Sequence, residues 1–253
     1  MNELNWLLAP TVALVLGCIT LVPLGREVLQ RGVVFVDLAL AQGAACGALM
    51  SAVWWDHPAL WKVQASATLA ALLLAAMVAW VVQRWPAQRE ALIGLLYVAG
   101  ANLALWGASW EPHGRERLDQ LLSADVLWAP WNAIAWLALC AVPVWLLALR
   151  WRHTLNRHAV FYPLFALVLS AAVPLLGLYL VFALLIAPAL WTFKGHSTAV
   201  AIALAVGACL LGLAVSWTWD APSGACVALT TALVGLGSLW KRSLSAEGRT
   251  AAP

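Results

Sequence analysis

Apolar runs of about twenty residues recur along this chain with only short polar breaks, and that pattern leaves few folds open. A helix rises 1.5 Å per residue, so crossing a hydrocarbon layer of ~30 Å takes about 20 residues. Such runs occupy 6–24, 32–54, 63–82, 91–110, 132–149, 197–217 and 222–240. The stretch 159–191 is also apolar but too long for one crossing. Pro174 and Gly177 interrupt it, so it reads as two crossings, or as one crossing and a re-entrant half-helix. Hydrophobic residues make up 64 % of the chain and charged ones 10 %, against roughly 25 % charged in soluble domains. The expected fold is therefore an all-α integral membrane protein, a polytopic bundle of 8–9 transmembrane helices.

The 17 tryptophans, against 3 tyrosines, sit mostly at the ends of the apolar runs, where amphipathic rings settle at a membrane interface. The basic residues choose the orientation. With nine crossings and the N-terminus outside, Arg26, Arg31, Arg84, Arg89, Arg150, Arg152, Arg157, Lys194, Lys241, Arg242 and Arg249 fall inside, 11 of the 14. Lys62, Arg115 and Arg117 fall outside. The positive-inside rule predicts this asymmetry. The expected location is a bacterial inner membrane, with the C-terminus cytoplasmic. Residues 1–242 form the transmembrane permease domain of this reading, and 243–253 a disordered cytoplasmic tail. The polar segment 110–131 would face outside and carry a short amphipathic surface helix. Val15, Leu16, Gly17 and Cys18 look like a lipoprotein cleavage box, but no Lys or Arg precedes the run, so the first span reads as uncleaved.

Few side chains can carry chemistry. Of the 11 acidic residues, Asp37 alone lies within a predicted span. An ionisable group there is a functional candidate by default, although it could also pair with Arg31 or reach the interface. Gln42 lies in the middle of the same helix and serves either a pathway or interhelical hydrogen bonding. Five residues separate Asp37 from Gln42, which places them about 140° apart on a regular helix. Residues 41–47, AQGAACG, are small enough for close helix packing. Asn102 in the fourth span is a weaker polar candidate, for which interhelical hydrogen bonding is the plainer role. The five cysteines form no C-x-x-C pair and read as small buried hydrophobes. All five histidines fall in predicted loops. No Walker loop, H-E-x-x-H or nucleophile elbow is present, so the chain has no ATP site or catalytic centre of its own. The formal charge of +3 does not suggest a nucleic-acid partner.

Five segments together resemble the ABC-3 family of ABC metal-importer permeases. Residues 27–42, EVLQRGVVFVDLALAQ, resemble a family segment ending in D-A-L-A-H-A. Residues 91–97, ALIGLLY, are similar to its A-I-G-I-L-F. Residues 118–127, LDQLLSADVL, are similar to its L-L-x-G-D-L-L. Residues 178–189, LYLVFALLIAPA, resemble G-A-L-L-V-x-A-L-L-I-I-P-A, and 220–225, DAPSGA, resemble D-x-P-T-G-P. The F-V-D-L-A-L-A-Q of residues 35–42 resembles one branch of that family.

The resemblance implies a permease for zinc, manganese or iron. It implies a homodimer, a separate ABC ATPase that hydrolyses ATP, and an extracytoplasmic metal-binding protein. The transported divalent metal would be cargo, with no cofactor bound by this chain. Asp37, Gln42 and Asn102 would line the translocation path, and Asp37 would touch the metal transiently. Arg150, Arg152 and Arg157 would face the ATPase. Two departures stand out. The family's pathway histidine falls on Gln42, with the acid five residues before it instead of four. A neutral amide is a poor zinc ligand. The family's ATPase-docking segment is also shortened here to 150–158. A non-transporting structural or regulatory subunit derived from such a permease is the rival reading.

Overall fold

The computed structural model describes residues 5–33, 35–55, 58–110, 113–150 and 157–250. Among them there are helices and no strands. The helices are α1 (Asn5–Arg31), α2 (Val36–Trp54), α3 (Leu60–Arg84), α4 (Arg89–Ala108), α5 (Gly114–Leu122), α6 (Trp131–Arg150), α7 (His158–Leu176), α8 (Leu178–Phe193), α9 (Thr198–Trp219) and α10 (Ser223–Thr250). A 3₁₀ turn, Val126–Trp128, joins α5 to α6. Lipid offers no hydrogen bonds to a bare backbone, so each crossing must satisfy its own peptide groups. Six described helices are long and apolar enough to cross a membrane, and three shorter apolar ones, Val36–Ser51, Leu178–Phe193 and Ser223–Ser238, join them. The polytopic bundle expected from the sequence is what forms.

α7 is the central post. Its faces are buried nearly all round, with Phe161, Phe165, Val168, Leu169, Ala172 and Leu176 inaccessible. α2, α3 and α6 pack on it, with α1 and α8 in further contact. α9 packs on α1 and α8, and α10 on α8 and α9. Small residues set the closest crossings. A Cβ on Gly47 of α2 would collide with the Ser66 carbonyl of α3, and one on Gly25 of α1 with the Leu185 carbonyl of α8. The sequence 41–47 therefore does what small residues do between membrane helices.

The long apolar stretch 159–191 is two helices, and the break falls at Gly177. Pro163 and Pro174 stay inside α7. Gly177 adopts φ 81°, ψ 152°, a region nearly reserved for glycine. A Cβ there would also sit 2.5 Å from the Ala124 nitrogen. Replacing Gly177 with Ala is expected to lower stability by about 1–3 kcal/mol, measurable as a fall in the melting temperature of the purified chain. An unchanged melt would show that another residue carries the break.

The segment 110–131 carries the surface helix foreseen for it. α5 exposes Arg115, Glu116, Asp119 and Gln120 and turns Leu118, Leu121 and Leu122 inward. Its end of the bundle also holds Gly177, Asp125 and Ser223, whose hydroxyl donates to Asp125 Oδ1 at 2.5 Å. Arg26, Arg31, Arg89 and His158 gather at the opposite end. α10 runs as helix to Thr250. No proline interrupts Ser243–Thr250, and Leu244, Ala246, Glu247 and Arg249 are compatible with helix.

Candidate functional site

Asp37 sits in the first turn of α2, where the partial positive charge of a helix N-terminus favours a carboxylate. Its side chain points into the bundle and is 2 % exposed. Oδ1 accepts the Leu38 backbone N–H at 2.8 Å. Oδ2 is buried and has no hydrogen-bond partner. A carboxylate held this way lacks the second set of donors that normally offsets its desolvation. It faces a crevice closed by Leu178, Val181, Phe182 and Leu185 of α8. The reading of Asp37 as a side chain reaching the interface is not what the structure shows.

Gln42 is also buried, at 4 % exposure, but turns toward a different neighbour. A Cβ on Gly100 of α4 would lie 3.2 Å from Gln42 Cβ. The two residues therefore look toward α8 and α4 respectively, as their helical separation requires. Asn102 joins neither. It is exposed on α4, and its amide donates to the Val98 carbonyl of its own helix at 2.8 Å. Arg150 is exposed at the end of α6, and Arg157 is exposed just ahead of α7. Arg152 lies outside the described residues.

A charged cluster that the sequence did not mark surrounds the start of α2. Arg31, at the end of α1, lies 3.8 Å from Glu27 and 3.4 Å from His158 Nδ1. Its guanidinium stacks over the Phe161 ring, 4.0 Å from the centroid. Glu90 of α4 lies within electrostatic range of both Asp37 and Tyr162. Tyr162 is 1 % exposed and its hydroxyl has no partner. In the linear sequence these groups are loop-edge residues of four separate runs. Only the assembled bundle brings them together.

Among the described residues, no three His, Cys, Asp or Glu side chains converge in a way that could hold a metal ion. Asp37 can offer one carboxylate to a passing cation, with the surrounding walls apolar. That arrangement suits brief contact better than storage, since tight sites assemble several ligands.

Comparison with known proteins bears on the whole. Residues 154–242 match the model of the ABC 3 transport family. A solved structure, PsaBC from Streptococcus pneumoniae in complex with Fab, superposes with a TM-score of 0.72 at 16 % identity. The superposition covers 93 % of this chain and 91 % of that one, and at this identity it speaks for a shared fold. No curated protein matches the chain. Of the five segments that carry the resemblance, 178–189 and 220–225 fall within the matched residues.

Proposed function

We propose that this chain, an ABC-3-type transport permease, is the membrane subunit of an importer for divalent metal ions. The observation that carries the reading is Asp37, among the described residues the one fully buried carboxylate, with a free oxygen at a closed crevice. Burying an acid without full compensation costs stability, and passage of a cation supplies a reason to keep it. In this reading a separate ABC ATPase supplies the energy and an extracytoplasmic binding protein delivers zinc, manganese or iron. Two copies form the complete pore. Asn102, exposed on α4, reaches the path only through a second copy seated against that helix. Arg150, Arg152 and Arg157 lie toward the ATPase, and the N-terminus lies outside.

In this reading the closed crevice is the shut state of the path. Leu178, Val181, Phe182 and Leu185 all belong to α8, so movement of α8 away from α2 would uncover Asp37. Gln42 offers only neutral oxygen or nitrogen to a cation, which favours transfer over retention.

Restoring a histidine tests the path directly. Gln42→His, assayed by metal uptake in cells that depend on this permease, is expected to change zinc flux through a stronger ligand at that depth. Unchanged flux of every divalent metal, together with no ATPase copurifying with the wild-type chain, would favour the non-transporting subunit instead.

A further inference from the structure

At the end of the bundle opposite the arginine cluster, a cavity of about 480 Å³ opens between α3 and α6, lined as well by α5 and the end of α2. Both helices pack on α7 and not appreciably on each other, which leaves a groove floored by Pro174 and Leu175. Val63 and Gln64 form one wall and Ala133 the other. Farther along, the same two helices expose Leu69, Leu73, Leu139 and Leu146, as helices facing acyl chains do. Trp128, at the mouth of the cavity, is 84 % exposed, and Trp61 and Trp131 are exposed nearby in sequence. Exposed tryptophans of this kind mark the headgroup level.

Two features point to an occupant with polar groups. Gln64 is 4 % exposed, and its Oε1 has no partner. Exchanging the amide's oxygen and nitrogen leaves the same need, because one end of the group still lacks a hydrogen bond. Arg117 and Asp125 also line the cavity together. Arg117 already has a contact within the chain, and its five N–H donors leave capacity for more. Asp125 Oδ1 accepts from Ser223 and from the Leu127 N–H. A purely anionic headgroup would meet repulsion at Asp125, and a purely cationic one would meet it at Arg117.

We infer that this cavity is a binding site for a zwitterionic aminophospholipid. The phosphate lies toward Arg117 and the ammonium toward Asp125. The glycerol esters reach the Gln64 amide, and the acyl chains run down the groove between α3 and α6. The bound lipid thereby fills a seam that the helices themselves leave open, and steadies α3 and α6 against α7.

The test uses the full chain in nanodiscs of equal phosphatidylethanolamine and phosphatidylglycerol, followed by native mass spectrometry after annular lipid is stripped. One phosphatidylethanolamine per chain should be retained, in preference to phosphatidylglycerol by about fivefold or more, the scale of one headgroup charge contact. Asp125→Asn should abolish the preference. Because Asp125 also holds Ser223 and the 3₁₀ turn, a second variant, Ala133→Phe, fills the cavity from its wall and should remove the retained lipid. Equal retention of the two lipids, no retention by the wild type, or retention unchanged in Ala133→Phe would each overturn the assignment. The readout involves neither ATP nor cargo, so its failure would leave the transport reading standing.

Discussion

Asp37→Asn is expected to cut metal flux by about 100-fold, the upper end of what loss of even a ligand-supporting group costs in metal affinity, while the chain keeps its fold. The substitution keeps the shape of the side chain. An asparagine oxygen can still accept the Leu38 N–H that Oδ1 now accepts at 2.8 Å. What disappears is the negative charge beside the crevice of Leu178, Val181, Phe182 and Leu185. Removing an incompletely compensated buried carboxylate relieves a desolvation cost, so thermal stability should hold or rise. Uptake of labelled zinc or manganese into cells, beside a melting curve of the purified variant, separates the two effects. Full uptake with an intact fold would remove Asp37 from the path.

The largest effect on stability is expected at Gly25. A Cβ at this position of α1 would overlap the Leu185 carbonyl oxygen of α8 and crowd that residue's carbonyl carbon and Cα as well. All three are backbone atoms, so no rotamer change can make room. The two helices must separate along a contact that also holds Leu21, Leu24 and Leu184, all inaccessible. Gly25→Ala should therefore cost about 3 kcal/mol or more, at or beyond the usual range for overpacking. Gly207→Ala in α9 is the matching control. Nothing lies within 4 Å of its added Cβ, and alanine is the better helix former by about 1 kcal/mol. If both variants melt alike, the α1–α8 crossing is looser than the structure makes it.

The two residues differ in how far the sequence alone disclosed them. Asp37 stood out because a lone acid in an apolar run is visible by composition. Gly25 was one glycine among 17, with nothing in the linear pattern to set it apart. The same contrast runs through the site. The spacing of Asp37 and Gln42 already required that they face different ways. The identity of the facing helices, α8 for one and α4 for the other, was not legible. Asn102 was a polar residue in an apolar run, and only the rotation of α4 showed that it faces outward and bonds its own Val98 carbonyl. Glu27, Arg31, Glu90, His158 and Tyr162 were scattered over loop edges until three helix ends met beside the start of α2.

The sequence by itself determined that this chain crosses a membrane many times, that it does so with helices, and that the long apolar stretch must be interrupted near Pro174 and Gly177. Those outcomes follow from the solvent: hydrocarbon demands runs of apolar residues of a set length and a backbone bonded to itself. The tertiary structure alone decided which face of each helix turns inward. In water, polar residues mark the outer face. In lipid, the inside and outside of a bundle are both apolar, so Leu69 on the outer surface and Leu169 in the core look the same until the helices have packed.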